Sequence, residues 1–358
     1  MKNSKHIAVI CNYELKPERI GGMDRFFIAY DQACKEKGHE VDWFFSNSQV
    51  HSFYKNLKIF ASEGISAENH FLEHSKDLKQ YDIVITHFVA LCTPFFQKLK
   101  NEQEAYIIAV DHNPRPLNGF PIKKQLRNKI KGVLYAKYID CFVGVSKYTV
   151  NCILEDYGSH LKRKTILVYN GIKTSLYKEK KSENFGKMIV ASHLRESKGI
   201  QDLIEAVNLL PEENKILLKI DIYGEGPMQR ELERKVRLYR LENRITFKGS
   251  SAELPNLLQE YSFLLQPTYM ECFSLSILES LSANVPVITT PVGGNPEIIK
   301  ETENGFIFKA GDIQTLSSVI DKVLQKQYRI DKKVNLLIKE QFSLERMVEE
   351  HIKLLPCT

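Results

Sequence analysis

The sequence has no Cys-x-x-Cys pair and no apolar run approaching the ~18 residues of a membrane-spanning helix. Its seven cysteines, at positions 11, 34, 92, 141, 152, 272 and 357, are odd in number and lack metal-ligand spacing. They read as reduced thiols of a cytoplasmic protein, and a zinc site is not expected. The opening Met-Lys-Asn-Ser-Lys leads only into the short run Ile7 to Cys11 before Asn12, too little for a secretory signal. Also missing is Gly-x-Gly-x-x-Gly directly after the first apolar run. An eleven-residue loop with Pro17, Asn12 to Gly22, stands there instead and ends in Gly21-Gly22, which argues against a dinucleotide-dependent dehydrogenase.

What is present is a globular chain of two domains' length, 358 residues with 43% hydrophobic content. Its charge is divided unevenly. Residues 1 to 180 hold 27 Lys and Arg against 19 Asp and Glu, whereas the remainder holds 23 against 25. A basic first half suits nucleic acid, an anionic membrane, a phosphorylated acceptor, or nothing beyond solubility.

Along the chain, short apolar runs alternate with helical periodicity. His6 to Cys11, Val41 to Phe45, Asp82 to His87, Ala105 to Val110, Ile139 to Val145 and Ile166 to Tyr169 read as strands. Met23 to Lys37, with Phe26, Phe27, Tyr30, Ala33 and Cys34 on one face, reads as the first helix, and Ser146 as the N-cap of a later one. Alternation of this kind predicts a parallel sheet covered on both faces. Asp111-His112-Asn113-Pro114 follows a strand directly, where open α/β sheets bind ligands. A histidine there can titrate near neutral pH or donate a hydrogen bond, which makes His112 a candidate. His87 is a weaker one, and His6 and His39 read as structural.

After the Asn170-Gly171 turn, residues 173–186 are polar and lysine-rich, as a linker would be. The theme then repeats with strands at Lys187 to Ala191, Leu217 to Tyr223 and Ile245 to Lys248, and helices through Leu209, from Met228 to Arg240 and over Ser251 to Tyr261. Helices at Asp312 to Gln325 and Ser343 to Leu355 follow.

The second half centres on Gln266 to Glu297, QPTYMECFSLSILESLSANVPVITTPVGGNPE. An apolar run ends at Gln266-Pro267, a polar loop carries Glu271, and a helix opens near Ser274 with Leu275, Leu278 and Leu281 on one face. Free N–H groups near Phe273, Ser274 and Leu275 make an anion site of about half a positive charge. Glu271 and Glu279 flank it, which suits a ligand bearing both phosphates and hydroxyls.

This pattern, with Pro286 and Gly293-Gly294-Asn295-Pro296-Glu297 after it, resembles the signature of the retaining glycosyltransferases of the GT-B fold, family four, also known as glycosyl transferases group 1. The resemblance is strong over 187 to 310 and weak before 110. It implies two Rossmann-like α/β domains facing across a cleft: 1–172, with the helix in 343–358 crossing back, and 187–342, which binds a nucleotide sugar. Arg195 and Lys198 would clamp its diphosphate, although the family's arginine position is occupied by His193 and Arg195 stands two residues later. Gly21 and Gly22, together with Gly224 and Glu225 of the Gly-x-Gly-Pro turn, would let backbone approach the donor. Glu279 would hold the ribose hydroxyls. Glu271 would contact the sugar and stabilise positive charge at the anomeric carbon, and His112 would lie near the donor sugar. Cys272, where the family commonly has glycine, calls for a backbone without positive φ.

The activity so implied is transfer from a nucleotide diphosphate sugar, UDP favoured, to a glycan or lipid-linked glycan in cell-surface polysaccharide synthesis. No metal or other cofactor is implied, and no nucleic acid. The alternatives are a nucleotide-sugar 2-epimerase and a non-catalytic partner of the same fold. Ile122 to Lys137 adds a basic amphipathic helix, with Ile122, Leu126, Ile130, Val133 and Leu134 in one stripe beside Lys123, Lys124, Arg127, Lys129 and Lys131. The stripe packs on the sheet, or the helix lies on an anionic membrane at the periphery of the inner membrane face, and both can hold together, one face core and the other steering a lipid-diphosphate acceptor.

Overall fold

The computed structural model describes residues 4–16, 20–47, 51–61, 64–75, 80–180 and 184–356. Pro17, Cys357 and three residues of the polar stretch 173–186 lie outside them. The chain divides into two compact units, unit 1 (Met1–Gly171 with Leu344–Thr358) and unit 2 (Ile172–Ser343).

Unit 1 holds a seven-stranded parallel sheet made of β1 (His6–Cys11), β2 (Glu40–Phe45), β3 (Lys58–Ala61), β4 (Ile83–His87), β5 (Tyr106–Asp111), β6 (Cys141–Gly144) and β7 (Thr165–Leu167), in the order 3-2-1-4-5-6-7. Its central strands are buried almost throughout, as continuous apolar runs demand when helices cover both faces. The helix Gly22–Glu36 buries Phe26, Phe27, Tyr30 and Cys34. The helix Leu344–Lys353 packs against it, with the His351 ring 4.7 Å from Phe26. Edge strand β3 has no counterpart in the sequence reading, because Lys-Ile-Phe-Ala is too short to show a period.

Unit 2 holds six parallel strands, β8 (Lys187–Ala191), β9 (Lys219–Tyr223), β10 (Ile245–Gly249), β11 (Phe263–Gln266), β12 (Val287–Thr289) and β13 (Gly305–Ile307), in the order 10-9-8-11-12-13. This is the 3-2-1-4-5-6 order of the Rossmann sheet. Met188, Val190, Ile220 and Ile222 form its core with Leu203, Val207, Leu232 and Ile320 of the flanking helices. The helix expected over Ser251 to Tyr261 contracts to Leu254–Leu257 and a 3-10 turn, with Pro255 in its first turn.

Two expectations change. The stretch 173–186 is not a free linker where it is described, but is laid onto unit 2. Lys178 and Lys180 donate backbone N–H bonds to the carbonyls of Pro255 (3.4 Å) and Ala283 (2.8 Å), and Lys339 Nζ reaches Glu179 at 2.7 Å. A polar, lysine-rich composition reads as a linker, but its backbone groups can still pair.

The second change concerns the Ile122–Tyr135 helix. Its apolar stripe does not pack on the sheet: Ile122, Leu126, Ile130, Val133 and Leu134 are 51 to 81% exposed. The helix is seated instead by buried Asn128 and Gly132 against the helix Lys147–Tyr157. Gly132 makes this possible, since a Cβ there would stand 1.9 Å from the Tyr157 carbonyl oxygen. No helix among the described residues is long and apolar enough to cross a membrane.

Candidate active site

In a doubly wound sheet the strand order reverses between two neighbouring strands, and the loops leaving their carboxyl ends form a crevice. In unit 2 these strands are β8 and β11, paired Phe263 to Met188 and Leu264 to Ile189. The loop after β8 carries His193, Arg195 and Lys198. The loop after β11 carries Glu271.

Glycines fit these loops together. Gly199 has φ +68°, and a Cβ on it would lie 1.8 Å from the Pro267 carbonyl oxygen. Gly293, with φ +62°, would meet the Glu271 carbonyl at 2.0 Å. Thr268 Oγ1 and the Tyr269 N–H both donate to the Ser197 carbonyl, at 3.1 and 2.8 Å. The Tyr269 hydroxyl is tied to Asp202 on the next helix. Burial raises the Asp202 pKa, and burial with the Asp202 hydrogen bond raises that of Tyr269 to about 12.

This stitching brings Lys198 Nζ to 2.9 Å from Glu271 Oε2, both groups about four-fifths buried (22% and 18% exposed). The second oxygen of Glu271 accepts the N–H of Cys272 at 3.1 Å. An ammonium has three donors, so Lys198 can hold Glu271 and still meet a phosphate. Cys272 is absent from the residues with positive φ, so the side chain costs no strain where the family commonly has glycine.

Ser274 is the N-cap of the helix Leu275–Ser282 and accepts the Ile277 N–H at 3.3 Å. Phe273 is buried against Phe342, and Leu275 and Glu279 are half-buried. Beneath the helix mouth lies a polar network that sequence reasoning missed. Gln266 donates to Ser274 and Ser276 (3.1 Å) and accepts from Thr289 (3.1 Å) and Asn295 (3.2 Å). Buried amides with several partners fix one geometry, and here they hold the start of the helix. Asn295 lay within the quoted Gly-Gly-Asn-Pro-Glu run, whereas Gln266 appeared only as the end of an apolar run.

Gly224, with φ +124°, would bring a Cβ within 2.0 Å of the Ser192 carbonyl. The Glu225 carbonyl accepts the Leu194 N–H at 2.9 Å and the His193 Nδ1–H, and its exposed carboxylate accepts the Ser250 N–H at 3.3 Å. His193 thus bonds loop to loop, whereas Arg195 is exposed.

The remaining candidates belong to unit 1. Gly21 has an ordinary φ of −100° and is the N-cap of the first helix. Its N–H donates to buried Asp24 at 2.8 Å, and Gly22 is helical. His112 Nε2 lies 2.9 Å from His87 Nδ1, and the His112 ring stacks on Phe88 at 4.3 Å. His351 lies 6.1 Å from His87, ring to ring. Burial dominates their titration, lowering His87 well below the usual value, His112 to about 3 and His351 to about 4. Of the two readings of His112, titration near neutral pH or donation of a hydrogen bond, burial opposes the first. Arg115, also missed, bridges buried Asp111 and Asp156 at 2.8 Å each and fixes the loop after β5.

Two Rossmann-like units with parallel sheets make this a GT-B fold. Its fold matches Anabaena HepE in complex with UDP-glucose, TM-score 0.77 at 18% identity over 98% of this chain and 99% of that one. Residues 172–341, 170 of the 358, match the model of glycosyl transferases group 1, which supports a glycosyltransferase of that group. An uncharacterized glycosyltransferase of Methanocaldococcus jannaschii is 28% identical over 207 residues, 56% of each chain. The putative colanic acid biosynthesis glycosyltransferase WcaL of Salmonella typhimurium is 28% identical over 140 residues, 37% of this chain and 34% of its own. The matches thus span about half the length of the first relative and a third of the second.

Proposed function

We propose that the protein is a retaining glycosyltransferase that takes a sugar from a UDP-sugar and passes it to a glycan or lipid-linked glycan in cell-surface polysaccharide synthesis. The observation that carries the reading is the Lys198–Glu271 pair at the β8/β11 switch point, beside the mouth of the Leu275–Ser282 helix. The diphosphate is met by Lys198, by Arg195 and by the first-turn amides of that helix. Glu279 takes the ribose hydroxyls. Glu271, held by Lys198, faces the anomeric carbon and stabilises the charge that grows there as the bond to phosphate breaks.

With two cations and a helix terminus on the diphosphate, the reaction proceeds without a divalent metal. In unit 1, His112 shares a 2.9 Å hydrogen bond with His87 at the carboxyl ends of β4 and β5, an uncharged polar pair. Support for the donor comes from the UDP-glucose complex of the HepE neighbour, and for the acceptor from the colanic acid pathway named for WcaL. The workplace is the cytoplasm, in keeping with six buried cysteines that stand outside any disulfide among the described residues.

The experiment is a thermal-shift and calorimetric panel of UDP, GDP and their sugars, followed by product analysis with acceptor glycans and EDTA. The reading expects UDP selectivity, turnover that survives EDTA, and an α-linked product from an α-linked donor. Interconversion of the donor without any acceptor would replace it with a 2-epimerase. Absence of nucleotide binding would leave a non-catalytic partner.

A further inference from the structure

We propose that the Ile122–Tyr135 helix is a membrane-docking surface, its exposed apolar stripe entering the boundary between headgroups and acyl chains of an anionic bilayer while its lysines and arginine meet the lipid phosphates. The helix is held to unit 1 by Asn128 and Gly132 alone among its buried residues. At about 100° per residue that face is opposite the stripe. Ile122, Leu126, Ile130, Val133 and Leu134, 81, 62, 51, 72 and 51% exposed, therefore point away from the protein along one side. Five large aliphatic side chains left in contact with water on one helix are not scattered surface residues but a patch that asks for cover.

Charge decides what covers it. Lys123 and Arg127 border the stripe on one side and Lys129 on the other, with Lys124 and Lys131 beyond, and no acidic residue stands between Ile122 and Lys137. A second copy docking by a two-fold axis would press two such sets of five cations together. A surface of anionic lipid accepts both the aliphatic stripe and the cations, and it is the occupant whose charge is complementary. The same helix lies in unit 1, and the inference does not depend on the donor reading, which rests on unit 2. Attachment of this kind is reversible and its electrostatic part weakens with salt.

The test is co-sedimentation of the full chain with vesicles of phosphatidylcholine alone or with roughly one quarter phosphatidylglycerol, at low salt and at about 0.15 M. Wild type should partition into the anionic vesicles at least about tenfold better than into the neutral ones. The pair Leu126→Asp with Val133→Asp, and separately the triple reversal Lys123→Glu, Arg127→Glu, Lys129→Glu, should each cut that partition by at least about tenfold. Because all five side chains are exposed, Tm and UDP affinity should stay at wild-type values. The proposal is overturned if wild type stays in the supernatant with anionic vesicles, or if Leu126→Asp with Val133→Asp sediments as wild type does. It is also overturned if the protein is a dimer without vesicles and that pair dissolves the dimer, which would make the stripe a self-interface. Failure of wild type to bind UDP sinks the donor reading and leaves this one standing.

Discussion

The two units share the order 3-2-1-4-5-6 over six strands but treat the carboxyl ends of those strands in opposite ways. In unit 2 the loops after β8 and β11 meet backbone to backbone at Gly199 and Gly293, where a Cβ would stand 1.8 and 2.0 Å from a carbonyl oxygen, and they frame a lysine and a glutamate. In unit 1 the ends of β4 and β5 are filled with rings: His87, His112, Phe88, Phe26 and His351, all three histidines neutral. One crevice is built to hold charge in a fixed place. The other is filled by rings and neutral histidines, with the Asp111 carboxylate already paired to Arg115, which suits a hydroxylated ligand better than an anionic one.

The largest effect that would break this contrast is catalytic. Glu271→Gln should lower kcat about 10² to 10³-fold, with the Kd for donor changed only a few fold, whereas Glu279→Gln should chiefly raise that Kd. Equal losses of binding in both would remove Glu271 from the chemistry. Next comes the backbone stitching. Gly199→Ala or Gly293→Ala adds a Cβ at positive φ against a carbonyl and should cost about 3 kcal/mol or more. Gly21→Ala in unit 1, with ordinary φ and nothing nearer than 3.5 Å, should stay within about 1 kcal/mol by chemical denaturation.

Lys198→Ala should weaken UDP binding about 10 to 150-fold, the worth of one charged hydrogen bond of about 1.5 to 3 kcal/mol, measured by calorimetry. Arg195→Ala should act in the same direction. If it binds normally while a His193→Ala protein does not, the diphosphate contact belongs to His193.

The smallest effect is one of pH. His87, His112 and His351 have pKa values below their ordinary 6.5 in the folded chain, so the unfolded chain takes up protons first as pH falls. The stability they contribute is whole above about pH 6.5 and is lost through the window below it, toward about 4 for His351 and about 3 for His112. His351→Gln should flatten the slope of unfolding free energy against pH between 6 and 5 by about 1 kcal/mol per unit.

The same contrast governed what could be read from the sequence. Unit 2 was legible because its site is local: Glu271, the helix after Ser274 and the Gly-Gly turn lie within one stretch, and Lys198-Gly199 carries its own signal. Gln266 was not legible, since its partners Ser274, Thr289 and Asn295 are assembled by the sheet. In unit 1 the meeting of His87 with His351 joins distant parts of the chain and leaves no trace in spacing. Periodicity showed that the Ile122–Tyr135 helix has two faces, but which one turns inward was decided by one glycine, Gly132, against the Tyr157 carbonyl.

Unit 2 is an insertion in unit 1, and its ends lie side by side: Ile172 bridges Ser343, and the Ile172 N–H donates to the Phe342 carbonyl at 3.0 Å. On the ribosome this imposes an order. Residues up to Gly171 emerge first, yet the helix bearing Met347 and His351 that closes over Phe26 and Tyr30 is synthesised only after the whole of unit 2. The N-terminal unit is therefore the last to be completed, and unit 2 is a closed loop of chain that reaches its native contacts while its host still waits for its final helix.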